Sequence, residues 1–221
     1  MELMHTVHVP PGDGPFPTIL ALHGWGASGH DLLGLAPYLH GGQALVICPQ
    51  GPVAFQTGPE QVGYGWFPIT GGGPMDPTEF AKGRDALRGF VDQALDHYPV
   101  DLRKLAVVGF SQGGVMAFDL VLRDPVHFAG LAGLSTWLPN DLANTIPDAE
   151  ALSGFPVLVQ HGSADPMIPI DRGRETRDRL TQMGVDLRYR EYEMQHELGS
   201  DSLRDLVDWL DEKALQPVML A

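Results

Sequence analysis

Short continuous apolar runs, closed by glycine or proline, recur along the chain. They are Thr18-Ile19-Leu20-Ala21-Leu22, Ala44-Leu45-Val46-Ile47-Cys48, Leu105-Ala106-Val107-Val108, Phe128-Ala129-Gly130-Leu131-Ala132-Gly133-Leu134 and Phe155-Pro156-Val157-Leu158-Val159-Gln160-His161-Gly162. Runs with no polar side suit strands covered on both faces, as inside a parallel sheet. Two segments read as more exposed strands: residues 5–9, an edge strand stopped by the Pro/Gly cluster at 10–15, and Val185, Leu187 and Tyr189 alternating with Asp186, Arg188 and Arg190. Between the runs the period is helical. Asp76 caps a helix with Pro77 at its first position, Phe80, Leu87, Val91, Ala94 and Tyr98 form its buried stripe, and Pro99 ends it. Further helices are expected near Asp31 to Leu39, after Ser111 to about Arg123, and from about Asp171, as its cap, to Met183. A last helix carries Leu203, Leu206, Val207 and Leu210 at i, i+3, i+4 and i+7. Strands alternating with helices predict an α/β fold, a three-layer sandwich with a mostly parallel central sheet.

Residues 51–77 and 135–153 are irregular. The first stretch is rich in Gly and Pro yet carries Phe55, Tyr64, Trp66 and Phe67. Its aromatic content argues against disorder, which leaves a structured excursion that walls a binding site, or aromatics that only pin a long loop to the core. Neither stretch is long enough for a separate lid domain. Residues 1–221 therefore read as one domain with an open, shallow site.

The stretch from Leu105 to Phe118 stands out. A buried strand stops at Gly109, a single serine follows, and helical spacing resumes through Val115, Phe118 and Leu122. Gly109 and Gly113 flank Ser111 where a side chain would crowd a tight strand-to-helix turn. This Gly-x-Ser-x-Gly pattern is that of the nucleophile elbow, which lifts a serine hydroxyl to a helix N-terminus. The competing reading of the pentapeptide by itself is a Gly/Ser turn with no chemistry.

Composition narrows the classes. With 221 residues, 43% hydrophobic, the chain can bury a full core. Fourteen Lys and Arg against 28 Asp and Glu give a net charge of −14, so the surface repels phosphate backbones and anionic headgroups. Nucleic acid is not an expected partner, nor is stable membrane association. The single cysteine, Cys48, falls in an apolar run and reads as a buried structural thiol. Residues 1–5 carry neither a basic nor an apolar leader region, and no apolar run approaches bilayer length, so the chain reads as cytoplasmic.

A serine hydroxyl needs a base to take its proton and an acid to orient that base. Of nine histidines, His5, His8, His40, His97 and His127 fall at element edges away from the expected carboxyl end of the sheet. His23 and His161 each precede a glycine where a strand ends, which suits hydrogen bonding at loop bases. His30 precedes the serine in the chain. His196 follows both serine and acid and lies between the last strand and the last helix, where the Ser…Asp…His order requires its base. Asp165 follows the strand ending at Gly162 and is the candidate acid. Asp171, Glu197 and Asp201 are better read as a cap, a loop neighbour and a helix-dipole partner. The oxyanion donors are expected to be the N–H of Gln112, next after the nucleophile, and that of Trp25 in the glycine-rich loop 23–30.

Leu22-His23-Gly24-Trp25-Gly26, Gly109-Phe110-Ser111-Gln112-Gly113-Gly114, the stretch from His161 through Asp165 to Pro169, and Tyr192-Glu193-Met194-Gln195-His196-Glu197 together resemble the phospholipase/carboxylesterase family, which includes acyl-protein thioesterases and bacterial carboxylesterases. The resemblance spans nearly the whole chain. It implies the α/β-hydrolase fold, Ser111, Asp165 and His196 as triad, Trp25 and Gln112 as oxyanion donors, and Trp66-Phe67 near the acyl site. It further implies hydrolysis of short- to medium-chain esters or thioesters, on small molecules or acylated protein, without metal or cofactor. Ser135 and Trp137 are expected to join Trp66 and Phe67 as walls, and a homodimer stays open. The chain departs from the family pattern at Gln195, where glycine is usual before the histidine, and at Ser135-Thr136, where Ser-Gly is common. Gln195 is expected to alter the loop's backbone angle or to present an extra amide to substrate, and Thr136 to reshape the wall. The competing functions are a non-catalytic binding protein on the same scaffold and a lactonase or peptidase of the same fold.

Overall fold

The computed structural model describes residues 2–69, 75–146 and 150–216. A seven-stranded sheet runs through it in the order β1-β3-β2-β6-β7-β8-β9. The strands are β1 (His5–His8), β2 (Phe16–Leu22), β3 (Leu45–Pro49), β6 (Val100–Phe110), β7 (Gly130–Leu134), β8 (Pro156–Gly162) and β9 (Asp186–Tyr192). Only the β1–β3 pairing is antiparallel. Helices α1 (Pro77–His97), α2 (Gln112–Leu122), α4 (Ile170–Gln182) and α5 (Ser200–Trp209) cover the sheet, and α3 (Asn140–Ala143) is a single turn.

The apolar runs have no polar side because each central strand feeds two cores. Leu20, Leu22, Val107, Val157 and Val159 face one core with Leu87, Phe90 and Phe118. Ile19, Ala21, Ala106, Val108 and Leu158 face the other with Leu206 and Trp209. Every residue of α2 is buried, as expected for a helix that is apolar on nearly all sides. Asp76 caps α1, its side chain accepting from the N–H groups of Thr78 and Glu79.

The short helical segment expected near residues 31–39 is 3-10 in form, as two short turns, Leu33–Leu35 and Leu39–Gly42. Two expectations need correction. Asp171 is not a cap, because Pro169 holds the N-cap position of α4 and Asp171 lies in its first turn. Most consequentially, the stretch 51–77 contains an antiparallel hairpin, β4 (Val53–Gly58) paired with β5 (Gln61–Gly65). Residues 70–74 of that stretch, and 147–149 of the second irregular stretch, lie outside the described residues.

Candidate active site

The turn between β6 and α2 is set by close backbone approach. Ser111 has φ 52° and ψ −118°, a conformation costly for a residue with a side chain and characteristic of functional turns. Gly109 and Gly113 are glycines because nothing larger fits. A Cβ at 109 would lie 2.4 Å from the Gly113 carbonyl oxygen, and one at 113 only 2.1 Å from that of Leu22. The Ser111 N–H donates to the Leu134 carbonyl at 2.9 Å, and the Thr136 hydroxyl donates to the Ser111 carbonyl at 2.7 Å. Thr136 is fully buried beneath the elbow, so its departure from the family pattern acts on the turn and not on a wall.

Asp165 and His196 stand on adjoining loops. The β8–β9 pairing continues past the strand ends, with Ser163 N–H to Tyr192 O at 2.8 Å and Ala164 N–H to Met194 O at 3.2 Å. Asp165 is buried. One carboxylate oxygen, Oδ1, accepts from the N–H groups of Met167 and Ile168 at 2.8 and 2.9 Å, and Oδ2 lies 2.8 Å from His196 Nδ1. A carboxylate accepts, so Nδ1 carries the proton and Nε2 keeps its lone pair for another donor. The His196 ring lies 4.9 Å from the Phe110 ring. Gln195 is exposed and has no left-handed backbone angle, and it lies outside the cleft lining, so it presents no extra amide there.

Ser111, His196, Trp25 and Gln112 line one cleft of about 380 Å³. Neither the Trp25 nor the Gln112 N–H has a backbone acceptor among the described residues. The remaining lining is apolar, with Phe67, Ile69, Met75, Trp137 and Met167. Of the four residues expected as walls, Phe67 and Trp137 line this cleft and Trp66 and Ser135 do not. Trp66 is fully buried, and its indole N–H finds the His23 carbonyl at 2.9 Å. Ser135, also fully buried with φ 46°, directs its hydroxyl toward the Glu197 carbonyl at 3.4 Å. Met167 and Ile168 line the cleft without having been singled out; their signal was position, next after Asp165 in the chain. A groove of about 310 Å³ along β9 is lined by Asp186, Arg188, Tyr189, Arg190 and Lys213 and holds no Ser, Thr, Cys or His.

The hairpin frames the other side. The Gly26 N–H donates to Tyr64 O and the Tyr64 N–H to Ala27 O, at 2.8 and 2.9 Å, while the Trp25 ring stacks on Phe55 with centroids 3.9 Å apart. The Gln112 side chain ties the hairpin's far end to the elbow, accepting from Trp66 N–H at 2.8 Å and donating to Phe67 O at 2.7 Å. His23 holds the near end. Its Nδ1–H donates to the Gly24 carbonyl at 2.7 Å, and its Nε2 accepts from the Gly51 N–H at 2.9 Å. Burial pushes the His23 imidazole below its ordinary value. Cys48 is buried and its thiol is pushed up to about 12 by that burial, so it is inert. No group of His, Cys, Asp and Glu among the described residues is arranged to hold a metal.

The phospholipase/carboxylesterase family model matches residues 4–213 of the chain. Acyl-protein thioesterase 1 of Mycosarcoma maydis is 27% identical over 96% of this chain and 98% of its own. Among solved structures, esterase PE8 superposes with a TM-score of 0.82 at 23% identity, covering 95% of this chain and 98% of that one. The Bacillus cereus carboxylesterase gives 0.81 at 22% identity, covering 96% and 94%. At these identities the two structures speak to fold alone, and that fold is the α/β-hydrolase fold.

Proposed function

The chain belongs to the phospholipase/carboxylesterase family and is a serine hydrolase of the carboxylesterase/thioesterase kind, and we propose that Ser111, His196 and Asp165 are its catalytic triad. Ser111 Oγ attacks the acyl carbonyl carbon while His196 Nε2 takes the hydroxyl proton. The N–H groups of Trp25 and Gln112 hold the resulting oxyanion, and Asp165 steadies the imidazolium. His196 returns the proton to the leaving oxygen or sulfur, and the acyl group stays on Ser111. Water, deprotonated by the same imidazole, then frees the acid.

The observation that carries this reading is the 2.8 Å bond from His196 Nδ1 to Asp165, made by an imidazole that lines the same cleft as the strained serine. The cleft lining includes no Lys, Arg, Asp or Glu among the described residues, which favours uncharged acyl groups of short to medium length. The names of the thioesterase relatives support extending the range to thioesters and to acylated protein. We read the chain as a single domain with no separate lid. No described helix is long and apolar enough to cross a membrane, in keeping with a cytoplasmic site of action.

Turnover of p-nitrophenyl esters and acyl thioesters of graded length, with a fluorophosphonate probe alongside, tests the assignment. Wild type is expected to take the label and turn over uncharged acyl groups. Ser111→Ala is expected to lose the label and about 10⁴-fold or more of turnover. A Ser111→Ala protein that hydrolyses as wild type does, or a wild type that refuses the probe, overturns it and favours the non-catalytic scaffold.

A further inference from the structure

One buried titratable side chain next to the site has been given no part in the chemistry. His161, near the end of β8, is fully buried. Its Nε2 lies 2.8 Å from the Ile168 carbonyl oxygen. A carbonyl can only accept, so Nε2 carries a proton. Nδ1 is buried with no hydrogen-bond partner among the described residues, so a second proton there would have no acceptor. Nε2 is therefore the ring's donor to the fold. The ring also does not line the cleft, which removes it as a second base.

Ile168 is what His161 holds. Its N–H donates to Asp165 Oδ1 at 2.9 Å, while its carbonyl takes the His161 proton. Asp165 and His161 thus grip opposite ends of one residue, and the Asp165 oxygen left over, Oδ2, is the one that meets His196. His161 Nε2 is also 3.6 Å from that oxygen, too long for a hydrogen bond. The ring's other side is fixed by α4. A Cβ at Gly173 would lie 2.8 Å from His161 Nδ1 and 2.9 Å from its Cγ, so glycine at 173 is what lets the helix close over the imidazole.

We propose that His161 is a positioning residue for Asp165: by donating to the Ile168 carbonyl it holds the 165–168 turn in the form that aims Oδ2 at His196. The proposal rests on the reading of Asp165 as the triad's acid. Loss of the donor frees Ile168, turns the carboxylate, and leaves His196 poorly oriented; Ile168 also lines the cleft, so an effect through that wall alone would appear in KM, whereas one through Asp165 appears in kcat.

The test compares His161→Gln with His161→Asn. Both are polar and close in size, but only glutamine extends an amide N–H to the position of Nε2. On p-nitrophenyl acetate, His161→Asn is expected to lose about 10- to 100-fold in kcat with KM within about twofold, as for a small misplacement of a catalytic group. His161→Gln is expected to recover most of that loss at the same melting temperature as His161→Asn. In an Asp165→Asn background, exchanging Gln for Asn at 161 is expected to change kcat less than threefold, since the group acted upon is gone. Equal kcat for the two variants, or a difference that persists in the Asp165→Asn background, overturns the proposal. A fully active Asp165→Asn protein instead overturns the triad reading itself, and with it the basis for the proposal.

Discussion

The turn carrying Ser111 and the β4–β5 hairpin pack against each other, and the balance of forces that orders them differs. In the elbow the main constraints are contacts between backbones: glycines at 109 and 113 let β6, α2 and the end of β2 approach to distances no side chain permits. In the hairpin close approach operates too, since a Cβ at Gly63 would lie 2.6 Å from the Gly26 carbonyl oxygen and one at Gly65 2.2 Å from the Trp25 ring, but hydrogen bonds and one aromatic stack to residues far away in sequence, namely His23, Gly26, Ala27, Gln112 and Trp25, are added to it. Steric order is nearly rigid, because interiors are close-packed and overlap is steeply repulsive. Order by hydrogen bonds depends on each partner keeping its donor or acceptor. Ser111, the proposed nucleophile, is therefore the fixed point of the site, and Trp25, the proposed oxyanion donor, depends more on its hydrogen-bonded surroundings.

Gly113→Ala would break the steric side of that comparison and has the largest expected effect. The new Cβ would stand 2.1 Å from Leu22 O and 2.6 Å from His23 O, both backbone atoms, so neither can swing aside. A cost of about 3 kcal/mol or more is expected, which in a domain of this size lowers Tm by roughly 6–12 °C. Thermal unfolding checks it; a variant that melts with wild type would mean that the elbow is not sterically locked.

Gln112→Ala cuts the tie between the two regions and leaves the elbow's own backbone alone. The N–H of residue 112 survives, but the buried Trp66 N–H and Phe67 carbonyl lose their partners. Each stranded group costs about 1–3 kcal/mol, for a sum of roughly 2–6 kcal/mol. Fluorophosphonate labelling is expected to persist, since Ser111 and His196 are unmoved, while kcat falls. Loss of labelling together with turnover would mean that the elbow depends on the hairpin after all.

The same division explains what the sequence could convey. Gly109, Ser111 and Gly113 show their constraint within five consecutive residues, and strands buried on both faces show theirs as unbroken apolar runs. Asp165 and His196 follow from chain order and from their places after β8 and β9. The hairpin's burial pattern is broken and half-exposed, and its reasons for being ordered lie in residues 23 to 27 and 112, where no local pattern points to it. Trp66 reads as a wall on the same account, and the fold buries it. An aromatic in a Gly-rich stretch reads as a surface contact, and only the tertiary fold supplies the buried His23 carbonyl that takes its indole N–H. The first part of β6, from Val100 to Lys104, is hidden for the opposite reason, since its residues are half or fully exposed and polar at 101, 103 and 104.

His23 gives the finest probe of the comparison, because pH reaches the hairpin through it without altering a side chain. Its ring accepts from Gly51 N–H, just before β4, and its carbonyl accepts from the Trp66 indole, just after β5. A proton on Nε2 would set one donor against another at the Gly51 N–H. Burial holds the folded His23 below the unfolded value of 6.5, so in acid the unfolded chain binds the proton first. Stability from this group is complete above about pH 6.5 and is lost progressively as pH falls from there to the lower folded value. Between pH 7 and pH 6 the loss is expected to stay below ~1 kcal/mol. The measurement is chemical denaturation of wild type and His23→Gln across pH 5.5 to 8. The variant, having nothing to titrate at 23, is expected to be less stable at pH 8 and to fall less steeply below pH 6.5. Parallel pH profiles would show that the hairpin's near end does not rest on a neutral imidazole, and the elbow, which has no titratable group in its steric lock, would then be no more acid-resistant than the hairpin beside it.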